Sequence, residues 1–123
     1  MPVIKGYKDL LTYQKAYALA LDLHMLSINF PKFEQTELAS QLRRASKSVA
    51  LNIAEGYAKR ESLGELKRFL NIARGSNDEV QVQLSFCKDL GYIDQESFLI
   101  YESRSIEIGK MISSMLKSWK NFK

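Results

Sequence analysis

From Leu63 to Cys87 one stripe recurs without a break: Leu63, Leu66, Leu70, Ala73, Asn77, Val80, Leu84, Cys87. Steps of three and four residues in alternation are the signature of a helix that lays one face into left-handed bundle packing. Continued to Leu90 the segment is about 42 Å long at ~1.5 Å per residue, and it needs partners of similar length to cover its stripe. Ser62 followed by Glu65 predicts a capping box at its start, and Gly91 a left-handed cap at its end.

The remaining sequence supplies those partners. The chain has 123 residues, enough for one domain around one core, here taken as residues 1–123. Its only prolines are Pro2 and Pro31, so long helices meet no internal breaker elsewhere. A first helix is expected over about 8–29, with apolar positions Leu10, Tyr13, Tyr17, Ala20/Leu21, His24 and Ile28, ended ahead of Pro31. Leu11, Ala18, Leu19, Met25 and Leu26 form a second apolar strip on the same helix, which suggests burial on two sides and hence oligomerisation.

A second helix is expected over about 35–57, with the stripe Leu38, Leu42, Ala45, Val49, Asn52/Ile53 and Gly56 and many small residues beside it. Small side chains let a neighbouring helix come close. Gly56 either ends this helix or lets it run one turn further. The third helix spans about 63–90. The fourth spans about 94–119, with Asp94 as N-cap and the stripe Phe98, Tyr101, Ser105, Ile108, Ile112, Met115 and Trp119. Short connections make consecutive helices antiparallel neighbours. The expected fold is therefore all-α: an antiparallel, up-down-up-down, left-handed four-helix bundle.

Composition excludes several classes of function. The longest uncharged run, Leu23 to Pro31, is far short of the ~20 residues that span a bilayer, so no membrane partner is expected. No secretory leader stands out, and a single cysteine, Cys87, excludes an internal disulfide framework; the cytoplasm is the expected location. His24 is the only histidine and falls on an apolar stripe, where a core or edge role outweighs catalysis. Cys87 lies in the third stripe and reads as core. No Glu-x-x-His pair, paired-cysteine zinc pattern or glycine-rich phosphate loop occurs, so the sequence is read as non-enzymatic, with no metal and no cofactor.

Charge is the one feature that points to a partner. The net charge is +4, but residues 1–37 are balanced and residues 75–123 carry net −1. Residues 38–74 carry Arg43, Arg44, Lys47, Lys59, Arg60, Lys67, Arg68 and Arg74 against Glu55, Glu61 and Glu65, net +5. Arg43, Lys47, Lys67 and Arg68 are expected to build a basic face on the second and third helices, with Arg44, Lys59 and Arg60 around it. Clustered cations bind RNA or DNA by releasing counterions, and arginine can clamp a phosphate with two hydrogen bonds. Few aromatics accompany them, so base-specific reading is not expected. The competing reading is a solvated helix face on a protein-interaction scaffold. Asn52 and Asn77 are read as satisfied structural hydrogen-bonders, and Glu55 as the partner of a nearby arginine.

Four stretches carry a family resemblance: Gln41 to Val49, Asn52-Ile-Ala-Glu-Gly56, Ile72-Ala-Arg-Gly-Ser-Asn-Asp-Glu79, and Leu90-Gly-Tyr92. Together with Asp9-Leu10 and Gln14-Lys15-Ala16, they resemble the four-helix-bundle proteins encoded in intervening sequences of bacterial 23S ribosomal RNA genes. The resemblance covers about residues 7–118. It implies a small bacterial bundle that assembles into a homopentamer. It also implies a likeness in fold to the accessory protein of diversity-generating retroelements, a basic pentamer that associates with reverse transcriptase and nucleic acid. Asn52, Glu55, Gly56, Gly75, Ser76 and Glu79 carry over as motif positions, with no catalytic role attached.

Overall fold

The structure is a computed structural model that describes residues 3–118. Four helices form: α1 (Leu11–Ile28), α2 (Leu38–Ala58), α3 (Leu63–Asp89) and α4 (Gln95–Lys117). Single 3-10 turns precede α1 (Tyr7–Asp9) and α2 (Lys32–Glu34), and no strand occurs among the described residues. α1 packs on α2, α2 on α3, α3 on α4, and α4 closes back onto α1. The α2–α3 interface is the most extensive and the α1–α4 interface the thinnest.

The caps explain the boundaries. α3 begins at Ser62, whose Oγ accepts from the Glu65 N–H at 3.3 Å. Only this half of the expected capping box forms, because the Glu65 carboxylate turns to Arg68 Nε at 2.9 Å. At the other end Gly91 takes φ +82°, while Tyr92 N–H donates to the Cys87 carbonyl and Gly91 N–H to that of Lys88. This is a Schellman closure, open to glycine at no steric cost. α4 starts at Asp94, whose carboxylate accepts from the Ser97 N–H at 2.7 Å and is held below the usual aspartate range by that bond. The first helix starts at Leu11 rather than at Lys8. Tyr7–Asp9 winds as a separate 3-10 turn, and the extended backbone at Leu10 drops that side chain into the core.

Three of the four expected stripes are buried. On α3, Leu66, Leu70, Ala73, Asn77, Val80, Leu84 and Cys87 all face inward, and only Leu63, at the helix start, is exposed. On α2, Leu38, Leu42, Ala45, Val49, Ile53 and Gly56 are buried, while Asn52 sits half-buried at the edge. On α4, Phe98, Ser105, Ile108, Ile112 and Met115 are buried and Tyr101 is half-buried; Trp119 lies outside the described residues. The first stripe requires correction. α1 buries Thr12, Ala16, Leu19, Ala20, Leu23 and Ser27, while Tyr17, Leu21, Met25 and Ile28 are exposed. Its apolar residues run nearly all the way round, so spacing alone does not select the inward face.

Gly56 does not end α2, which continues to Ala58. A Cβ there would stand 3.3 Å from Phe69 Cβ and 3.4 Å from the Leu66 carbonyl oxygen. The absent side chain lets α2 and α3 close together at this level.

The far end of the bundle carries a buried carboxylate. Glu34 is 7% exposed; it accepts from the Tyr92 hydroxyl at 2.7 Å and, at 3.4 Å, from the Leu38 N–H at the start of α2. The hydrogen bond to Glu34 pushes the Tyr92 phenol up to about 12. Burial, with Glu34 nearby, pushes the Cys87 thiol up to about 12 as well. Both groups hold their protons more tightly folded than unfolded. Their contribution is therefore complete below pH ~9 and is lost as pH rises toward ~12. Urea midpoints should hold steady to about pH 9 and then fall, and Tyr92→Phe should flatten the decline between pH 10 and 12. A Tyr92→Phe profile identical to that of the unaltered protein would refute this origin.

Candidate nucleic-acid interface

The basic residues divide by register. Across the antiparallel α2–α3 pair, Gln83 Nε2 donates to Gln41 Oε1 at 3.2 Å, the hydroxyls of Ser48 and Ser76 meet at 2.8 Å, and Gly56 abuts Leu66 and Phe69. Arg43 and Arg44 therefore stand near the Gln41 level, and Lys67 and Arg68 near the Gly56 level. Fourteen or so helical residues separate the two groups, roughly 20 Å at ~1.5 Å each. The single face expected from sequence, with Arg43, Lys47, Lys67 and Arg68 together, does not form.

Arg43 is drawn inside. Its Nη1 donates to Ser27 Oγ at 2.9 Å and to Gln35 Oε1 at 3.2 Å, and its Nη2 donates to the Gln35 carbonyl at 2.9 Å. Gln35 in turn donates to the carbonyls of Ser27 at 2.9 Å and Phe30 at 3.0 Å. Arginine and glutamine together close the C-terminus of α1, whose last carbonyls lack helical partners. Arg44 is exposed beside a shallow polar depression with Ser48, Ser76 and Glu79. Lys47 is exposed on the other side of α2, where it rims an apolar groove with Tyr7, Tyr13, Tyr17, Leu21 and His24.

Lys59, Arg60 and Arg68 gather at the α2–α3 turn over aromatic rings. Lys59 Nζ lies 5.0 Å and the Arg68 guanidinium 4.4 Å from the Phe69 ring centre. The Arg60 guanidinium lies 4.1 Å from the Tyr57 ring, and its Nη1 donates to the Tyr57 carbonyl at 2.9 Å. The rings thus orient cations. Lys67 is exposed.

Of the motif positions, Asn52, Gly56 and Ser76 make packing or hydrogen-bond contacts between or within helices, and Glu55, Gly75 and Glu79 are exposed. Asn52 Nδ2 donates to the Ser48 carbonyl at 2.8 Å and to Ser48 Oγ at 3.0 Å, which joins it to the Ser48–Ser76 pair. Glu55 is exposed and makes no ion pair among the described residues, contrary to the expected arginine partner. Gly75 is exposed with open space around it, and Glu79 is exposed beside Arg44. His24 is half-buried at the edge of the apolar groove, and no group of three or more metal-ligating side chains occurs among the described residues.

A different pattern appears when charges are sorted by height. The Ser48–Ser76 contact and the Asn77–Ser105 bond at 2.8 Å mark a plane across the middle of the bundle. The half holding the α2–α3 turn carries Lys5, Lys8, Lys15, Lys59, Arg60, Lys67, Arg68, Arg74, Lys110 and Lys117 against Asp9, Glu55, Glu61, Glu65 and Glu107, net +5. The other half carries Lys32, Arg43, Arg44, Lys47, Lys88 and Arg104 against Asp22, Glu34, Glu37, Asp78, Glu79, Asp89, Asp94, Glu96 and Glu102, net −3. Over the described residues the bundle is electrically bipolar. Lys110 and Lys117 escaped notice in the sequence because they lie in its net-negative third; their seven-residue spacing was the available signal.

The geometry defines a small antiparallel four-helix bundle protein with one basic pole. The model of the 23S rRNA-intervening sequence protein family matches residues 8–114, and the chain belongs to that family. Its structure is similar to the 1.70 Å crystal structure of a protein of unknown function from the S23 ribosomal protein family of Bacteroides thetaiotaomicron. The two share 25% identity at a TM-score of 0.76, over 88% of this chain and 100% of the other. Among curated proteins none matches. No helix among the described residues is long and apolar enough to cross a membrane.

Proposed function

We propose that the protein is a non-catalytic homo-oligomer that binds RNA or DNA through phosphates at its basic pole. The observation that carries this reading is the bipolar charge, net +5 on one half against net −3 on the other. Such a field attracts a polyanion to one end and repels it from the other. Self-association is supported by α1, which exposes Tyr17, Leu21, Met25 and Ile28 beside an apolar groove of about 500 Å³. The family resemblance supports five as the number of chains.

Two measurements test the reading. Light scattering of the purified protein should give a mass near five chains, and Leu21→Glu with Met25→Glu should reduce it to one or two. A monomer before substitution would dismiss the oligomer. Binding to a 20-mer RNA should weaken steeply between 50 and 200 mM salt, and salt-independent binding, or none, would dismiss the polyanion reading.

The same apolar groove favours a second reading, a protein-interaction scaffold whose cations are a solvated surface. Capture of a protein partner that survives nuclease treatment, together with absence of RNA and DNA binding, would select it.

A further inference from the structure

The groove between α3 and α4 that runs from the middle plane into the basic half was not visible in the sequence. It is an open groove of about 470 Å³ whose polar walls include Arg74 and Asp78 from α3 and Lys110, Ser113, Ser114 and Lys117 from α4. Resting on the polyanion reading above, we infer that this groove is the path of the nucleic-acid backbone.

The chemistry of the walls supports phosphodiester rather than base. Lys110 and Lys117 lie one heptad apart on α4, about 10 Å along the axis at ~1.5 Å per residue. Arg74 faces them across a helix–helix spacing of about 8–10 Å. Lys67 lies one heptad before Arg74 and continues its row toward the pole. None of these four cations enters an ion pair among the described residues, and Arg74 alone of them donates to a neighbouring side chain, Asn71 Oδ1 at 2.8 Å, whereas Arg68 is paired with Glu65 and Lys15 with Glu107. Serine hydroxyls beside cations are ordinary phosphate donors. No aromatic ring lines the groove, so nothing there stacks a base or reads one. The turn cations Lys59, Arg60 and Arg68 already lie over their own rings, which leaves the α3–α4 groove as the open row. Asp78 is the only carboxylate in the groove and opposes the ligand.

The test is fluorescence anisotropy with a labelled 20-base-pair DNA duplex and a 20-mer RNA, on the full chain, between 50 and 200 mM salt. Lys110→Glu with Lys117→Glu should weaken both by at least tenfold at 50 mM. It should flatten the duplex salt slope by about 2, since each phosphate contact contributes ~0.9. Asp78→Asn should strengthen binding several-fold. Arg44→Glu with Lys47→Glu, in the opposite half, should change affinity less than threefold. Both lysines are exposed, and circular dichroism checks the fold; Lys110→Gln with Lys117→Gln repeats the test with less charge change. If the unaltered protein binds and the groove variants keep its affinity and slope, the groove assignment is overturned and the polyanion reading stands. If the unaltered protein binds neither probe, both fall.

Discussion

Replacing Arg43 with alanine is expected to lower stability by about 3 kcal/mol, because hydrogen bonds from a charged donor to part-buried acceptors are lost and their partners stay desolvated. Those acceptors are Ser27 Oγ, fully buried at 0% exposure, and both oxygens of Gln35. Gln35 then loses the contact that orients it toward the α1 carbonyls of Ser27 and Phe30. The melting temperature should fall by roughly 10 °C, at about 4 °C per kcal/mol for a domain of this size. Arg43→Lys should recover less than half of the loss, since one ammonium cannot reproduce a two-nitrogen fork. A melt within 2 °C of the unaltered protein would refute the role. One consequence concerns the search for a ligand. Arg43 looks from sequence like the first phosphate-binding residue to substitute, yet a loss of RNA binding in Arg43→Glu would report a damaged α1–α2 junction.

The second large effect is expected at Asn77, the one polar member of the α3 stripe. Its Nδ2 donates to the Ser105 carbonyl at 2.8 Å, and Ser105 Oγ donates back to its Oδ1 at 3.0 Å. Both residues are inaccessible to water, at 1% and 0% exposure. Asn77→Leu would complete the apolar pattern but remove both side-chain bonds, leaving the Ser105 hydroxyl only its longer bond, 3.3 Å, to the backbone carbonyl of residue 77. It would also crowd Gly109, where even a Cβ would come within 3.1 Å of the Asn77 amide nitrogen. The expected cost is about 3 kcal/mol, the sum of two lost buried hydrogen bonds and overpacking. Asn77→Leu with Ser105→Ala should recover about 1–2 kcal/mol of it, because both partners then become apolar. Urea denaturation of the four proteins gives the coupling, and additive single costs would show that the pair is not a unit.

These two positions mark how far the sequence could be read. The α3 stripe from Leu66 to Cys87 is inward-facing throughout, as its alternation requires, and a polar residue inside it had to find a partner. The partner's identity was not legible. Ser105 lies 28 residues away, and only the closed α3–α4 packing brings it opposite Asn77. α1 shows the converse. With apolar residues on nearly every side it offers no contrast from which to read a face, and it is Thr12, Ala16, Leu19, Leu23 and Ser27 that turn inward. Ser27 can be buried because its hydroxyl donates to the His24 carbonyl at 2.8 Å and accepts from Arg43 of α2, the second a contact no local pattern announces.

Charge followed the same division. The excess of cations in residues 38–74 was plain, but summing along the chain placed Arg43 beside Lys67. Antiparallel packing puts them at opposite ends of the bundle and brings Arg74 beside Lys110 and Lys117 instead. Helix number, the Ser62 and Asp94 caps and the Gly91 stop were determined by the sequence alone, because each depends on residues within a few positions of one another, whereas the starts of α1 and α2 fall three residues later than the local pattern placed them. The inward face of α1, the close approach at Gly56 and the basic pole were decided only by the tertiary structure. Each depends on the register between helices, which is set by the mutual packing of all four.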